Sequence, residues 1–172
     1  MKGKIIQYID QRGLSLIELL VYITVISMML LLTSQFTIAM IKGQRRASEV
    51  QRVHQSVRHI TTLLNYDFRQ AQSVDTVGSV FDDDNGVLVI ADPFGTTIRY
   101  QLTNNVLERQ YGPDPVQAIT TNEIDVEIFN IKHMEVATSS LNLIRYSLQM
   151  SAGFEGTDQF YRQTYVTSVT RR

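Results

Sequence analysis

One carboxylate in this chain sits where carboxylates are rare. Glu18 is the only charge in residues 14–41, and residues 19–41 form an uncharged run of 23. A carboxylate within a bilayer costs roughly 2.5–3.5 kcal/mol on translocon scales, so a group kept there marks a function by default. The chemistry open to it is charge pairing. A carboxylate buried among apolar helices must be neutralised or matched by a cation.

The other candidates carry less. Asp82-Asp83-Asp84-Asn85-Gly86 gathers oxygen ligands that suit Ca²⁺. It lacks the distal glutamate of a helical calcium loop, and Asn-Gly is also a strong hairpin-turn signal. Asp82, Asp83 and Asp84 therefore stand as a candidate metal site set against an ordinary acidic turn. His54 and His59 lie five residues apart, about 140° around a helix, which is not the i, i+4 spacing of a metal pair. His133 has no candidate co-ligand near it in sequence. Serine, histidine and aspartate all occur, but no nucleophile-elbow motif or ordered catalytic set does. The absence of cysteine excludes a disulfide framework, a zinc-thiolate site and a cysteine nucleophile. These residues do not point to an enzyme.

The elements that must position Glu18 follow from the pattern around it. A run of ~20 apolar residues spans a ~30 Å hydrocarbon core, so residues 14–41 are long enough to cross a membrane. A cleaved secretory signal would place a small-residue site after its apolar core. Here the core runs on through Thr37-Ile38-Ala39-Met40-Ile41 into a basic helical pattern. From Lys42 onward the apolar positions become one-sided: Ala47, Val50, Val53, Val57, Ile60, Leu64, Phe68 and Ala71 recur at three- and four-residue spacing. Gly43 is tolerable within a helix at ~1 kcal/mol. The spacing thus predicts one helix over residues 14–72, with its second half laid side by side on a globular domain.

Short alternating runs follow. Val87-Leu88-Val89-Ile90 is one. Residues 97–102 and 106–110 flank Thr103-Asn104-Asn105 as a hairpin, and residues 124–129, 141–150 and 160–169 hold further strands. A loop around residues 111–117, with Pro113 and Pro115, interrupts them. The expected fold is α+β, a long N-terminal helix packed on a small antiparallel sheet domain. Its parts are a leader (1–13), a transmembrane half-helix (14–41), an amphipathic half-helix (42–72) and a β-rich domain (73–172). Charge divides in the same way. Residues 42–69 carry Lys42, Arg45, Arg46, Arg52, Arg58 and Arg69 against Glu49 and Asp67, whereas residues 70–172 hold 7 basic and 13 acidic side chains. Next to a membrane, Lys42, Arg45 and Arg46 suit anionic headgroups better than nucleic acid.

Gly13-Leu14-Ser15-Leu16-Ile17-Glu18-Leu19-Leu20 resembles the processing motif of type IV prepilins and pseudopilins. The resemblance implies a pilin-like fold, cleavage by a prepilin peptidase after Gly13, N-methylation of Leu14, and Glu18 as the fifth mature residue. In that family the glutamate is thought to pair with the N-terminal amine of a neighbouring subunit and set the register of assembly. The implied partners are the peptidase, other minor and major pilins or pseudopilins, an inner-membrane assembly platform and lipid, with no cofactor. The implied location is a single pass through the cytoplasmic membrane, then a periplasmic or surface filament. Leu14 departs from the family's usual phenylalanine, and Gln35 stands where many major pilins carry a helix-breaking proline. The missing proline fits a minor subunit better than a bulk one whose helix partly melts. Leu64-Asn65-Tyr66-Asp67-Phe68-Arg69-Gln70-Ala71, with Ile98-Arg99-Tyr100-Gln101-Leu102 and Leu107-Glu108-Arg109, looks like J-type minor pseudopilins of type II secretion and W-type minor pilins, which are placed at or near a filament tip and help to start assembly. An uncleaved signal-anchored adaptor or sensor, and a DNA-binding minor pilin of an uptake (competence) pilus, are the alternatives. The basic residues after the span mildly favour the opposite orientation under the positive-inside rule, but the motif's peptidase acts on a cytoplasmic leader.

Co-expression with a prepilin peptidase is expected to remove residues 1–13 and leave an N-methylated Leu14. Intact mass and the N-terminal peptide measure this. A mature chain that keeps its first 13 residues points to a plain anchor instead.

Overall fold

A computed structural model describes residues 15–135 and 142–170. The chain divides into two compact units, residues 1–41 and 42–172. In the first unit the described residues form the opening part of helix α1 (Leu16–Gln70). This part is apolar enough to cross a membrane, and no residue of its most apolar window is buried within the protein. Residues 16–41 at 1.5 Å each extend ~39 Å, more than a ~30 Å hydrocarbon core.

The second unit is built on the rest of α1. The antiparallel strands β1 (Ser73–Val74), β2 (Val87–Ala91), β3 (Thr97–Thr103), β4 (Val106–Tyr111) and β5 (Gln117–Ala118) form one sheet in sequence order. A second antiparallel sheet holds β6 (Ile124–Glu135), β7 (Asn142–Ala152) and β8 (Tyr161–Thr170). The α+β expectation holds, with the strands divided between two sheets. Both sheets and α1 share one apolar core. Val53, Ile60, Leu64 and Phe68 of α1 meet Leu88, Ile90, Ile98, Tyr100 and Leu107 of the first sheet, and Phe129, Ile131, Ile144, Tyr146 and Leu148 of the second. The one-sided stripe is thus the helix's buried face. It starts later than the spacing suggests, because Ala47 is exposed and Val53 is the first buried position. A methyl group contributes little apolar area, so little drives Ala47 inward.

Local sequence explains the turns. Asn104 and Asn105 both adopt positive φ (50° and 63°) between paired Thr103 and Val106. This is the two-residue turn that asparagine tolerates and whose twist matches a hairpin. Asn85-Gly86 behaves differently. It is not a two-residue hairpin turn but the end of a loop closed by the Val80–Val87 bridge. Gly86 serves there by close approach, since a Cβ would stand 2.5 Å from the Phe129 carbonyl oxygen. The short strands β1 and β5 are too brief for any alternation to announce them.

β6 carries a register shift between Val126 and Ile128. Its buried positions change parity there, from Ile124 and Val126 to Phe129 and Ile131, as expected when one extra residue enters a strand of period two. Glu127 at the shift accepts hydrogen bonds from Ser151 Oγ (2.6 Å), Gln149 Nε2 (3.0 Å) and Arg162 Nε (2.9 Å). These contacts tie the irregularity to β7 and β8.

Phe68→Ala in a chain beginning near Lys42 is expected to lose about 3–5 kcal/mol of stability. Ala47→Ser should change it by less than about 0.5 kcal/mol. Urea unfolding followed by circular dichroism separates the two, and equal losses contradict the core described above.

Candidate functional site

Helix α1 begins with a local device at the motif. Ser15 precedes the first helical residue, and its carbonyl accepts the Glu18 and Leu19 amides at 2.9 and 3.1 Å. Glu18 is the acidic residue of the first turn and is exposed. Ser15-Leu16-Ile17-Glu18 has the spacing of a capping box, and an acid in the first turn complements the helix dipole. The sequence carries this S-x-x-E signal openly, but the intramembrane cost of Glu18 overshadows it. Gly13 and Leu14, the expected cleavage and methylation positions, lie outside the described residues.

Farther along the span, Thr24, Thr33 and Thr37 turn their hydroxyls back onto the carbonyls of Leu20, Met29 and Thr33 at 2.8, 2.8 and 2.9 Å. Each donates locally, so the threonines add little polarity to the helix surface. Glu18 is left as the one charge of the described span.

The match with known families falls on this same segment. Residues 9–34 match the family described as the prokaryotic N-terminal methylation motif. The match supports a type IV prepilin-like protein. A motif of this kind belongs to structural filament subunits, and together with the apolar helix it supports membrane anchoring, processing by a prepilin peptidase and assembly with other pilins. No curated protein and no solved structure matches this chain.

In the second unit the chemistry-bearing residues are mostly paired with one another. Asp67, on the buried face of α1, accepts hydrogen bonds from Tyr100 Oη and from Arg109 Nε, the latter at 2.8 Å. Tyr100 and Arg109 are register partners on β3 and β4, so one cross-strand pair converges on one helical carboxylate. Burial, reinforced by the Asp67 hydrogen bond and charge, pushes the Tyr100 hydroxyl far above its ordinary pKa. Burial works against the Arg109 charge, but the hydrogen bond and charge of Asp67 outweigh it and raise its pKa. Tyr100 is thereby held as a neutral donor to the Asp67 carboxylate, an arrangement that fastens helix to sheet. Tyr146 Oη donates to Asn65 Oδ1 at 3.2 Å. Helix α1 is therefore tied by Asp67 to the first sheet and by Asn65 to the second. Sequence reasoning placed these residues within a family-like segment but did not foresee the cluster.

The remaining candidates are dispersed. Asp82 pairs with Lys132 at 3.4 Å, Asp83 Oδ1 accepts the Asn85 amide at 2.7 Å, and Asp84 Oδ1 stands 3.5 Å from Asn130 Nδ2. Among the described residues no group of three or more His, Asp or Glu side chains converges as a metal site would require. His54 lies against Tyr165 and Tyr161, with Nδ1 3.3 Å from Tyr165 Oη; burial pushes that tyrosine up to about 12. His59 is exposed, and His133 stacks on Phe81. Of the basic segment, Lys42 pairs with Asp158 at 3.5 Å and Arg52 with Glu123 at 2.8 Å, so part of its charge is matched within the unit.

Asp67→Ala is expected to destabilise the chain from Lys42 onward by about 3–5 kcal/mol, because it strands the Arg109 charge. The double variant Asp67→Leu/Arg109→Met should recover much of this loss, since an apolar pair of similar volume commonly replaces a buried ion pair without penalty. Denaturant midpoints of the two variants measure it. A double variant no better than Asp67→Ala contradicts the stranded-charge account.

Proposed function

We propose that this chain is a minor pilin or pseudopilin, a structural subunit of a type IV pilus or type II secretion-type filament that acts at or near the tip and helps to start assembly. The observation that carries the reading is the methylation-motif match over residues 9–34 with Glu18 in the first turn of a helix whose next 23 residues, 19–41, carry no charge. In this reading a prepilin peptidase cuts after Gly13, Leu14 becomes a methylated N-terminus, and the N-terminal amine of a neighbouring subunit pairs with Glu18. The pair offsets the burial of both charges and fixes the axial position of one subunit against the next, as buried polar groups fix register in coiled coils. The absence of proline before Pro93 keeps α1 helical through residue 35, which favours a minor over a bulk subunit. The segment around Asp67, with Tyr100 and Arg109, supports the J-type or W-type kinship, since the quoted residues are those that fasten helix to sheet. The β-rich domain then lies outside the cytoplasm, with Lys42, Arg45 and Arg46 near lipid headgroups.

Glu18→Ala is expected to leave membrane insertion intact, because it removes the one intramembrane charge. It should reduce incorporation into sheared filaments at least about tenfold, a factor that needs only ~1.4 kcal/mol. Glu18→Gln should fall between. Processing after Gly13 is scored in parallel, since a block there imitates an assembly defect. Wild-type incorporation of the alanine variant removes Glu18 from the register role and leaves it as a helix-capping residue.

A further inference from the structure

Outside the span, the two most exposed aromatic side chains among the described residues are Phe94 (92% exposed) and Phe154 (83%). They stand at opposite ends of the second unit. Phe94 is in the β2–β3 turn, which follows Ala91, and the Ala91 carbonyl accepts the Gln72 amide at 2.7 Å just past the end of α1. Phe154 is in the β7–β8 loop, residues 153–160, and that loop touches the start of the unit: Asp158 Oδ2 pairs with Lys42 Nζ at 3.5 Å. From Lys42 to Gln70 the helix extends ~42 Å at 1.5 Å per residue. Lys42 is bonded to Ile41, the last residue of the uncharged run. Residues 19–41 extend ~35 Å, against a hydrocarbon core of ~30 Å and a whole bilayer of ~40–45 Å. When that run crosses a bilayer, Lys42 stands in the headgroup layer, and so does the loop it holds.

The loop's backbone is tied down while the Phe154 ring is left in the open. Gly153 before it and Gly156 after it adopt positive φ (87° and 84°), which glycine reaches without strain. The Phe154 carbonyl accepts the Thr157 amide at 3.2 Å and the Thr157 hydroxyl at 2.7 Å. The loop's two acids each face a cation, Asp158 on Lys42 and Glu155 on Arg162 at 3.4 Å. Arg45 and Arg46, next to Lys42 in the chain, are exposed. The loop therefore presents an apolar ring to anionic headgroups, with its negative charge matched.

We propose that the β7–β8 loop is a second membrane contact, with the Phe154 ring inserted at the boundary of headgroups and acyl chains. Lipid is the occupant because the loop is continuous, through Lys42, with the surface that the span already meets. Phenylalanine is among the residues that enter this boundary from the apolar side of membrane-bound elements. Attachment through both α1 and the loop fixes which side of the second unit faces the bilayer before assembly. The inference rests on the membrane-anchored reading, not on the type of filament.

The chain has no tryptophan, so Phe154→Trp and Phe94→Trp each place a single indole fluorophore in the full chain. In vesicles of phosphatidylethanolamine and phosphatidylglycerol, Phe154→Trp is expected to emit at shorter wavelength than Phe94→Trp. It should also lose intensity when the acyl chains are brominated, whereas Phe94→Trp should not. Tryptophan itself favours membrane interfaces, so amide hydrogen exchange tests the native phenylalanine. Residues 153–158 of the wild-type chain in vesicles should exchange more slowly than those of Phe154→Ser, which alters only an exposed side chain and leaves the core intact. No quenching at residue 154, or equal quenching at residues 154 and 94, overturns the loop contact and leaves the anchor standing. Exchange that Phe154→Ser does not alter overturns it as well. Protection that appears only on adding another protein overturns lipid as the occupant. Release of the wild-type chain from the vesicles by alkaline wash overturns the anchor, and the loop contact with it.

Discussion

Both sheets of the second unit depend on one apolar stripe. Val53, Ile60, Leu64 and Phe68 are fully buried on α1, and strands from each sheet close over them. Neither a three-stranded sheet nor a five-stranded one with two-residue edges buries enough on its own to be secure. A shared helical face supplies the missing wall and joins two modest sheets into one core. The polar contacts then refine what the apolar face begins. Asp67 and Asn65 stand on the same stretch of helix, and each reaches a tyrosine from a different sheet. Apolar packing tolerates sliding. A carboxylate meeting one hydroxyl and one guanidinium does not, because a shift of a residue in either strand leaves a buried charge unmatched.

The second sheet also shows how one edge is closed. The outer edge of β6 takes backbone hydrogen bonds from the first sheet's loops: Asp82 N to Ile131 O at 2.9 Å, Gly86 N to Phe129 O and Phe129 N to Asp84 O at 2.8 Å, and Val126 N to Asn105 O at 2.8 Å. The acidic loop is thus a strap between sheets, and its backbone contributes more to the fold than its carboxylates do. Gly86 is required where the strap touches β6, since any side chain would meet the Phe129 carbonyl. Capping an open edge in this manner removes a template for unwanted strand pairing.

The two parts of α1 answer to different solvents. Residues 19–41 are uncharged and apolar round most of the helix, and lipid imposes no single buried face, so the informative residues of the span are its polar exceptions: Glu18 just before the run, and the self-bonded threonines and Gln35 within it. Beyond Lys42 water surrounds the helix, the apolar residues retreat to one face, and the charged residues find local partners such as Glu123 and Asp158.

Much of this was legible in the chain. The long uncharged run, the switch to a one-sided stripe, the hairpin at Asn104-Asn105 and the strands near residues 87, 97, 106, 124, 142 and 161 all follow from periods and turn residues. Those are local signals, set by which neighbours three, four or two positions away are apolar. The Gly13–Glu18 motif is equally local. The division into two sheets, the parity change at Glu127 and the use of the acidic loop as a strap were decided only in three dimensions. Asp67 shows why most plainly. In sequence it is one polar residue beside Phe68. Its burial is tolerable only because Arg109, 42 residues away, and Tyr100 arrive opposite each other on paired strands, and no local pattern encodes a meeting that strand register creates.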